Sequence, residues 1–114
     1  MDFNSTKPIY LQICDDIFEK VLAGRLNPEE RIASVREYGA GIGVNPNTVM
    51  RSYEKLTADG IIYNRRGIGY FVSADAREKV HQQQKKDFLE NELPQIIRKM
   101  QLLGIAPEEV LERL

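Results

Sequence analysis

Three observations predict a mostly α-helical chain with one small β-hairpin. Apolar residues recur at three- and four-residue steps from Ile9 to Leu22 and again from Leu89 to Leu103. A helix-start signal at Ser34 and Glu37 is followed, after a glycine-bearing stretch, by a second one at Asn45-Pro46. Two β-branched and aromatic runs, Ile61–Arg65 and Tyr70–Ser73, flank the glycines of Arg66-Gly67-Ile68-Gly69. Helix, helix, helix, hairpin is the order of a winged helix-turn-helix, here followed by a short helical tail.

The first helix is expected over Pro8 to Leu22. Ile9, Ile13, Ile17 and Val21 form its stripe, Tyr10, Cys14, Phe18 and Leu22 widen it, and Gly24 offers a stop. Pro8 suits a first helical position, where its missing N–H is not needed. Asn27-Pro28 predicts a turn, with a short strand around Arg31 and Ile32. The second helix starts at the capping-box spacing of Ser34 and Glu37 and is weak, because Gly39, Gly41 and Gly43 crowd it and an interior glycine costs about 1 kcal/mol relative to alanine. In the third, Asn45 is the N-cap, Pro46 the first residue and Gly60 the end; Val49, Tyr53 and Leu56 share one face, and Asn47 and Arg51 point nearly opposite.

After Ala74 the composition changes, so residues 1–74 are read as one domain and residues 75–114 as a helical segment. Arg77 to Lys86 is polar. Leu89, Leu93, Ile96, Ile97, Met100 and Leu103 then make a helical stripe, interrupted by Pro94, which should kink or restart the helix. Gly104 stops it, and Pro107-Glu108-Glu109 opens a last short helix with Val110, Leu111 and Leu114. A winged helix of this length is already a closed fold, so the tail's apolar face needs a partner, and a second copy of the chain can supply one. The competing arrangement is a tail folded back on its own domain.

Composition narrows the function. The 114 residues include 16 Lys plus Arg against 17 Asp plus Glu, a net charge of -1, which excludes nucleic-acid binding by bulk charge alone. Residues 1–74 carry 9 basic and 9 acidic residues and residues 75–114 carry 7 and 8, so placement and not total must create any basic surface. One cysteine and one histidine leave little for a metal site or a nucleophilic triad, and there is no phosphate loop; an enzyme and a cofactor are not expected. No apolar run approaches the roughly 20 residues of a membrane span, and Met1 to Lys7 is polar, so neither a membrane segment nor a signal peptide is expected and cytoplasmic residence is the default. His81 is expected to be exposed and Cys14 to lie in the core; the adjacent Asp15 and Asp16 point apart on a helix and make no paired acid site.

The charges that matter fall on the two motif helices and the hairpin. Asn47 and Arg51 lie one turn apart near the start of the third helix, the end that enters the major groove in helix-turn-helix proteins. Arg can bind guanine and Asn adenine through two hydrogen bonds each. Thr48 can serve a phosphate, a thymine methyl or the helix end, and Asn45 caps beside the phosphates. Ser34 and Arg36 stand at the second helix N-terminus, suited to a phosphate. Arg65 and Arg66 precede a tip whose Gly67 and Gly69 allow close approach to a backbone or a minor groove.

Pro8-Ile9-Tyr10-Leu11-Gln12-Ile13, Ser34-Val35-Arg36-Glu37, Gly43-Val44-Asn45-Pro46-Asn47-Thr48-Val49 and Gly60-Ile61-Ile62-Tyr63 through Gly67-Ile68-Gly69-Tyr70-Phe71-Val72 resemble, in order and spacing, the GntR-type winged-helix transcription regulators. The short tail resembles the YtrA-like branch, in which a small helical dimerisation segment replaces a large effector domain. The resemblance implies a bacterial regulator, usually a repressor, that binds an inverted-repeat operator as a homodimer and often controls a transporter operon. By motif position it implies DNA contacts at Arg36, Asn45, Asn47, Thr48 and Arg51 and on the wing near Arg66, Gly67 and Gly69. The chain departs from the pattern at Glu29, where glycine is usual after proline, at Ala33, where proline is usual, and at Tyr38-Gly39, where Leu-Ala is usual. Pro46 replaces an arginine common among relatives, so the target sequence should differ from theirs. A protein-interaction module on the same fold is the alternative; it would have little use for Arg36, Asn47, Arg51 and the wing arginines together. Whether a small-molecule effector acts is left open by the residues.

Overall fold

In the computed structural model, which describes residues 1 to 114, helix α1 spans Ile9–Leu22. Pro8 sits just outside it as the N-cap, with ψ 143°, and not in the first helical position; its carbonyl accepts from the N–H groups of Leu11 and Gln12. Ile13, Cys14, Ile17, Phe18 and Val21 are buried, as their spacing requires. The chain then leaves through Gly24 at φ 75°.

The strand anticipated around Arg31 and Ile32 is reduced to one bridging pair, Arg31 with Phe71. It is flanked by hydrogen bonds from Ile32 N–H to the Tyr70 carbonyl and from Val72 N–H to the Glu30 carbonyl. Glu29, where the resemblance leads one to expect glycine, has φ 66° and is the one non-glycine residue in the left-handed region. That conformation costs roughly 1–2 kcal/mol for a residue with a Cβ. Two contacts hold it: its N–H donates to the Val72 carbonyl at 2.8 Å, and its carboxylate accepts from the Tyr63 hydroxyl.

Helix α2 spans Val35–Ile42, capped by Ser34 Oγ accepting from Glu37 N–H at 3.1 Å and closed by Gly43 at φ 70°. Gly39 is more than a weak helix former. A Cβ there would lie 2.6 Å from the Val44 carbonyl oxygen, so in this backbone the chain between α2 and the next helix passes too close to α2 for any residue but glycine without a shift. Helix α3 spans Pro46–Ala58, with Asn45 Oδ1 accepting from Asn47 N–H at 2.8 Å and Pro46 in the first turn. Strands β1 (Ile62–Arg65) and β2 (Gly69–Val72) pair antiparallel, Ile62 with Val72 through to Arg65 with Gly69. Tyr53 of α3 is the hub between these parts: its ring meets Tyr38 of α2 edge-on at 6.3 Å and Tyr70 of β2 at 5.0 Å, and its hydroxyl donates to the Ala33 carbonyl at 2.6 Å.

The chain divides into two compact units, Met1–His81 and Gln82–Leu114. Helix α4 spans Ala76–Asp87, and its Ala76 and Val80 are buried in the first unit together with Ile17, Leu56 and Ile61. Pro94 lies in the first turn of α5 (Leu93–Leu103), so the α-helix restarts there, as the sequence leads one to expect. A π-helical turn, Phe88–Glu92, leads straight into α5. Proline crowds the carbonyl four residues earlier and donates no N–H to it. That residue is Glu90, inside the π turn, where the wider hydrogen-bond spacing absorbs the defect. Gly104 at φ 67° ends α5, and α6 spans Pro107–Leu111. No residue from 82 to 114 is buried.

Candidate nucleic-acid interface

Helix α3 is built with two unlike faces. Val49, Ser52, Tyr53 and Leu56 are buried, whereas Asn47 and Arg51 are exposed one turn apart on the other side. Glu54, three residues beyond Arg51 and also exposed, confines the cationic part of that face to the first turns. Pro46 and the Asn45 cap fix the chain's entry into the helix, so the backbone beneath Asn47 and Thr48 is set before any partner arrives. Thr48 is half-buried, with its N–H given to the Asn45 carbonyl.

The wing is anchored beside the middle of α3. Besides the ring contact with Tyr53, the Tyr70 hydroxyl lies 3.9 Å from Met50 Sδ. From that root the hairpin runs out to a turn closed by Ile68 N–H on the Arg65 carbonyl at 2.9 Å, with Gly67 at φ 79°. Arg65, Arg66, Gly67 and Ile68 are all exposed, Ile68 to 52%. On one face of the strands Tyr63 and Phe71 stack at 5.8 Å, and the Arg65 guanidinium stands 5.2 Å over the Phe71 ring.

The arginines of these elements form no ion pair. The ion pairs of the chain engage Lys7, Lys20, Arg25, Lys55 and Lys79, and none engages Arg36, Arg51, Arg65 or Arg66. Lys55, on the C-terminal half of α3, is drawn to Asp59 at 3.0 Å, and this contact holds its ammonium above the ordinary lysine value. Cationic groups without a carboxylate partner are those that an anionic partner can neutralise.

Behind this surface the half-buried Tyr38 hydroxyl donates to Asp16 Oδ2 at 2.5 Å, tying α2 to α1. Burial pushes the Asp16 carboxyl upward, but the bonds from Tyr38 and Lys20 outweigh it and leave it below the usual value. The same burial and the same carboxylate raise the Tyr38 phenol. Burial takes the Cys14 thiol up to about 11, so at neutral pH it is a protonated core group and not a nucleophile. His81 is exposed. Asp15 and Asp16 diverge, the first to Lys7 and the second to Tyr38 and Lys20. No group of three or more His, Cys, Asp or Glu side chains is placed to hold a metal ion, and no helix is long and apolar enough to cross a membrane.

Two residues of this region escape sequence reasoning. Arg31 flanks the wing: an added Cβ on Gly69, at φ 144°, would stand 2.9 Å from its Nε. Only the bridge to Phe71 brings it there, and nothing local announces that pairing. Tyr10 reads as part of the apolar stripe of α1, yet its ring lies under Arg51, 3.9 Å from the guanidinium carbon.

The description "Bacterial regulatory proteins, gntR family" matches residues 9–72, more than half of the chain. The uncharacterized HTH-type transcriptional regulator YhcF of Bacillus subtilis is 38% identical over 110 residues, covering 96% of this chain and 89% of its own. The HTH-type transcriptional repressor YtrA of the same organism is 34% identical over 112 residues, covering 98% and 85%. Among solved structures, a putative GntR-family regulator from Bacteroides thetaiotaomicron superposes with a TM-score of 0.75 at 45% identity, over 91% of this chain and 90% of that one. The DNA-binding domain of AraR in complex with operator ORR3 superposes with a TM-score of 0.58 at 25% identity, over 64% and 88%. The arginines without carboxylate partners, the two-faced α3 and the anchored hairpin thus belong to a member of the GntR family of bacterial regulatory proteins, a winged-helix DNA-binding transcription regulator of the YtrA-like kind and not an enzyme.

Proposed function

We propose that the chain is a cytoplasmic homodimer that represses transcription by reading an inverted-repeat operator. The observation that carries the reading is the pair Asn47 and Arg51, exposed one turn apart opposite the buried face of α3, with Arg51 free of any carboxylate. In this reading Asn47 and Arg51 contact base edges in the major groove. Ser34, Arg36, Asn45 and Thr48 meet phosphates at the two helix N-termini, where unpaired N–H groups favour anions. Arg65 and Arg66, with Gly67 and Gly69, bring the wing to the adjacent minor groove or backbone.

The second unit supports pairing of two copies. Leu103 is 63% exposed, Leu111 64% and Leu114 96%, with Leu89, Ile96, Ile97 and Val110 also exposed and Leu93 and Met100 half-buried. Fully burying one such side chain is worth roughly 1.5–3 kcal/mol, so a second copy laid on this face has a large driving force. Two reading heads on one dimer call for two half-sites related by a two-fold axis. No cofactor is part of this reading. Repression is supported by the similarity to YtrA, itself named a repressor, and control of a transporter operon is part of the same proposal.

The test is fluorescence-anisotropy titration of duplex DNA at several salt concentrations, alongside the sedimentation coefficient. A dimer whose binding weakens steeply with salt, with a slope of about −0.9 per phosphate neutralised, is expected. A monomer, or a protein with no measurable affinity for duplex DNA, would point instead to an interaction module.

A further inference from the structure

We propose that Tyr10 is a positioning residue for DNA reading: its ring preorganises the Arg51 guanidinium for a two-hydrogen-bond contact to guanine. The proposal rests on the reading of Arg51 as a base-contacting residue. The geometry begins at α1. Tyr10, in its first turn, is half-buried, and its carbonyl accepts from Ser52 Oγ at 2.6 Å. Ser52 is fully buried and is the neighbour of Arg51 in α3. One turn on, the Cys14 thiol points to the Ser52 carbonyl at 3.8 Å. The start of α1 is therefore fastened to α3 beside Arg51, and the Tyr10 ring is held where it meets the guanidinium carbon at 3.9 Å.

That contact suits the task. An arginine free in solvent samples many rotamers, and ordering it on binding weakens the complex. A guanidinium that lies flat on a ring uses its face for the contact and keeps its N–H edge, the part that reads guanine, available. No carboxylate competes for Arg51, so the ring restrains the charge without neutralising it. The contact with Arg51 is made by the ring, so it is the ring that the proposal makes the working part.

A double-mutant cycle tests this. Tyr10→Leu, Tyr10→Phe, Arg51→Ala and the Tyr10→Leu/Arg51→Ala pair are titrated against a selected operator and against unrelated duplex. Tyr10→Leu should weaken operator binding about two- to five-fold, the size of an exposed cation–π contact, and leave unrelated duplex unaffected. Tyr10→Phe should bind as the wild type, and Tyr10→Leu should cost nothing further once Arg51 is alanine. In the free protein the Arg51 Nε–H resonance should show a ring-current shift in the wild type and in Tyr10→Phe, absent in Tyr10→Leu. Equal losses from Tyr10→Leu in both Arg51 backgrounds would overturn the positioning role while leaving Arg51 as a base reader. An Arg51→Ala variant that binds the operator as well as the wild type would overturn both.

Discussion

Replacing Gly39 by alanine puts a methyl carbon 2.6 Å from the Val44 carbonyl oxygen, also within 3.4 Å of Val49 Cγ2. The oxygen is backbone, in the turn that delivers the chain to the α3 cap, and Val49 belongs to the core. Relief requires α2 and that turn to separate by several tenths of an ångström. Overpacking of this kind costs roughly 1–3 kcal/mol. Alanine recovers about 1 kcal/mol as a better helix former, which leaves a net loss of up to about 2 kcal/mol. Gly41, two residues on in the same helix, is the internal control. A Cβ there meets nothing within 4 Å and its φ is not positive, so Gly41→Ala should stabilise by about 0.5–1 kcal/mol. For a domain of this size each kcal/mol moves Tm by roughly 4–8 °C, so thermal melts at matched protein concentration should rank Gly41→Ala, wild type, Gly39→Ala from high to low. A Gly39→Ala protein that melts as high as Gly41→Ala would refute the close crossing of α2 by the Val44 turn.

Tyr38→Phe should lower stability by about 1 kcal/mol at neutral pH, because Asp16 loses a charge-assisted donor. The Asp16 carboxyl lies below its ordinary 3.8 in the folded chain, so its contribution is complete above about pH 4 and is lost as the pH falls through the folded value. The variant's stability should therefore decline less steeply below pH 4, as urea titrations at stepped pH would read. Ile97→Asp with Leu103→Asp should yield a monomer by sedimentation and weaken operator binding on the order of 100-fold, since two linked reading heads become one. Arg66→Ala should weaken binding almost equally on all duplexes and reduce the salt slope by about 1, the mark of a phosphate contact.

Much of the DNA-binding unit was legible because its signals are local. Asn45-Pro46 announces the start of α3, Ser34 with Glu37 that of α2, and the two glycines between β-branched runs the hairpin. What escaped depends on distant parts meeting. Gly39 looked like a flaw in α2 because propensity scores one helix at a time, and only the crossing by Val44 makes it necessary. Glu29 adopts a glycine-like φ held by Val72 and Tyr63, residues more than thirty positions away. The bridge of Arg31 to Phe71 and the stack of Tyr10 under Arg51 are likewise tertiary facts. Pro94 marked the restart, since it lies in the first turn of α5, but the π turn that carries the run from α4 into it has no simple mark in the residues. The tail's stripe was readable as apolar, but an exposed stripe in one chain leaves open what covers it.

The most direct measurement is selection from random duplex DNA with the wild type and Arg51→Ala in parallel. The account predicts an enriched inverted repeat for the wild type, with its consensus lost or degraded at symmetric positions in the variant. Enrichment of the same repeat by both proteins, or of no consensus by the wild type, would contradict it.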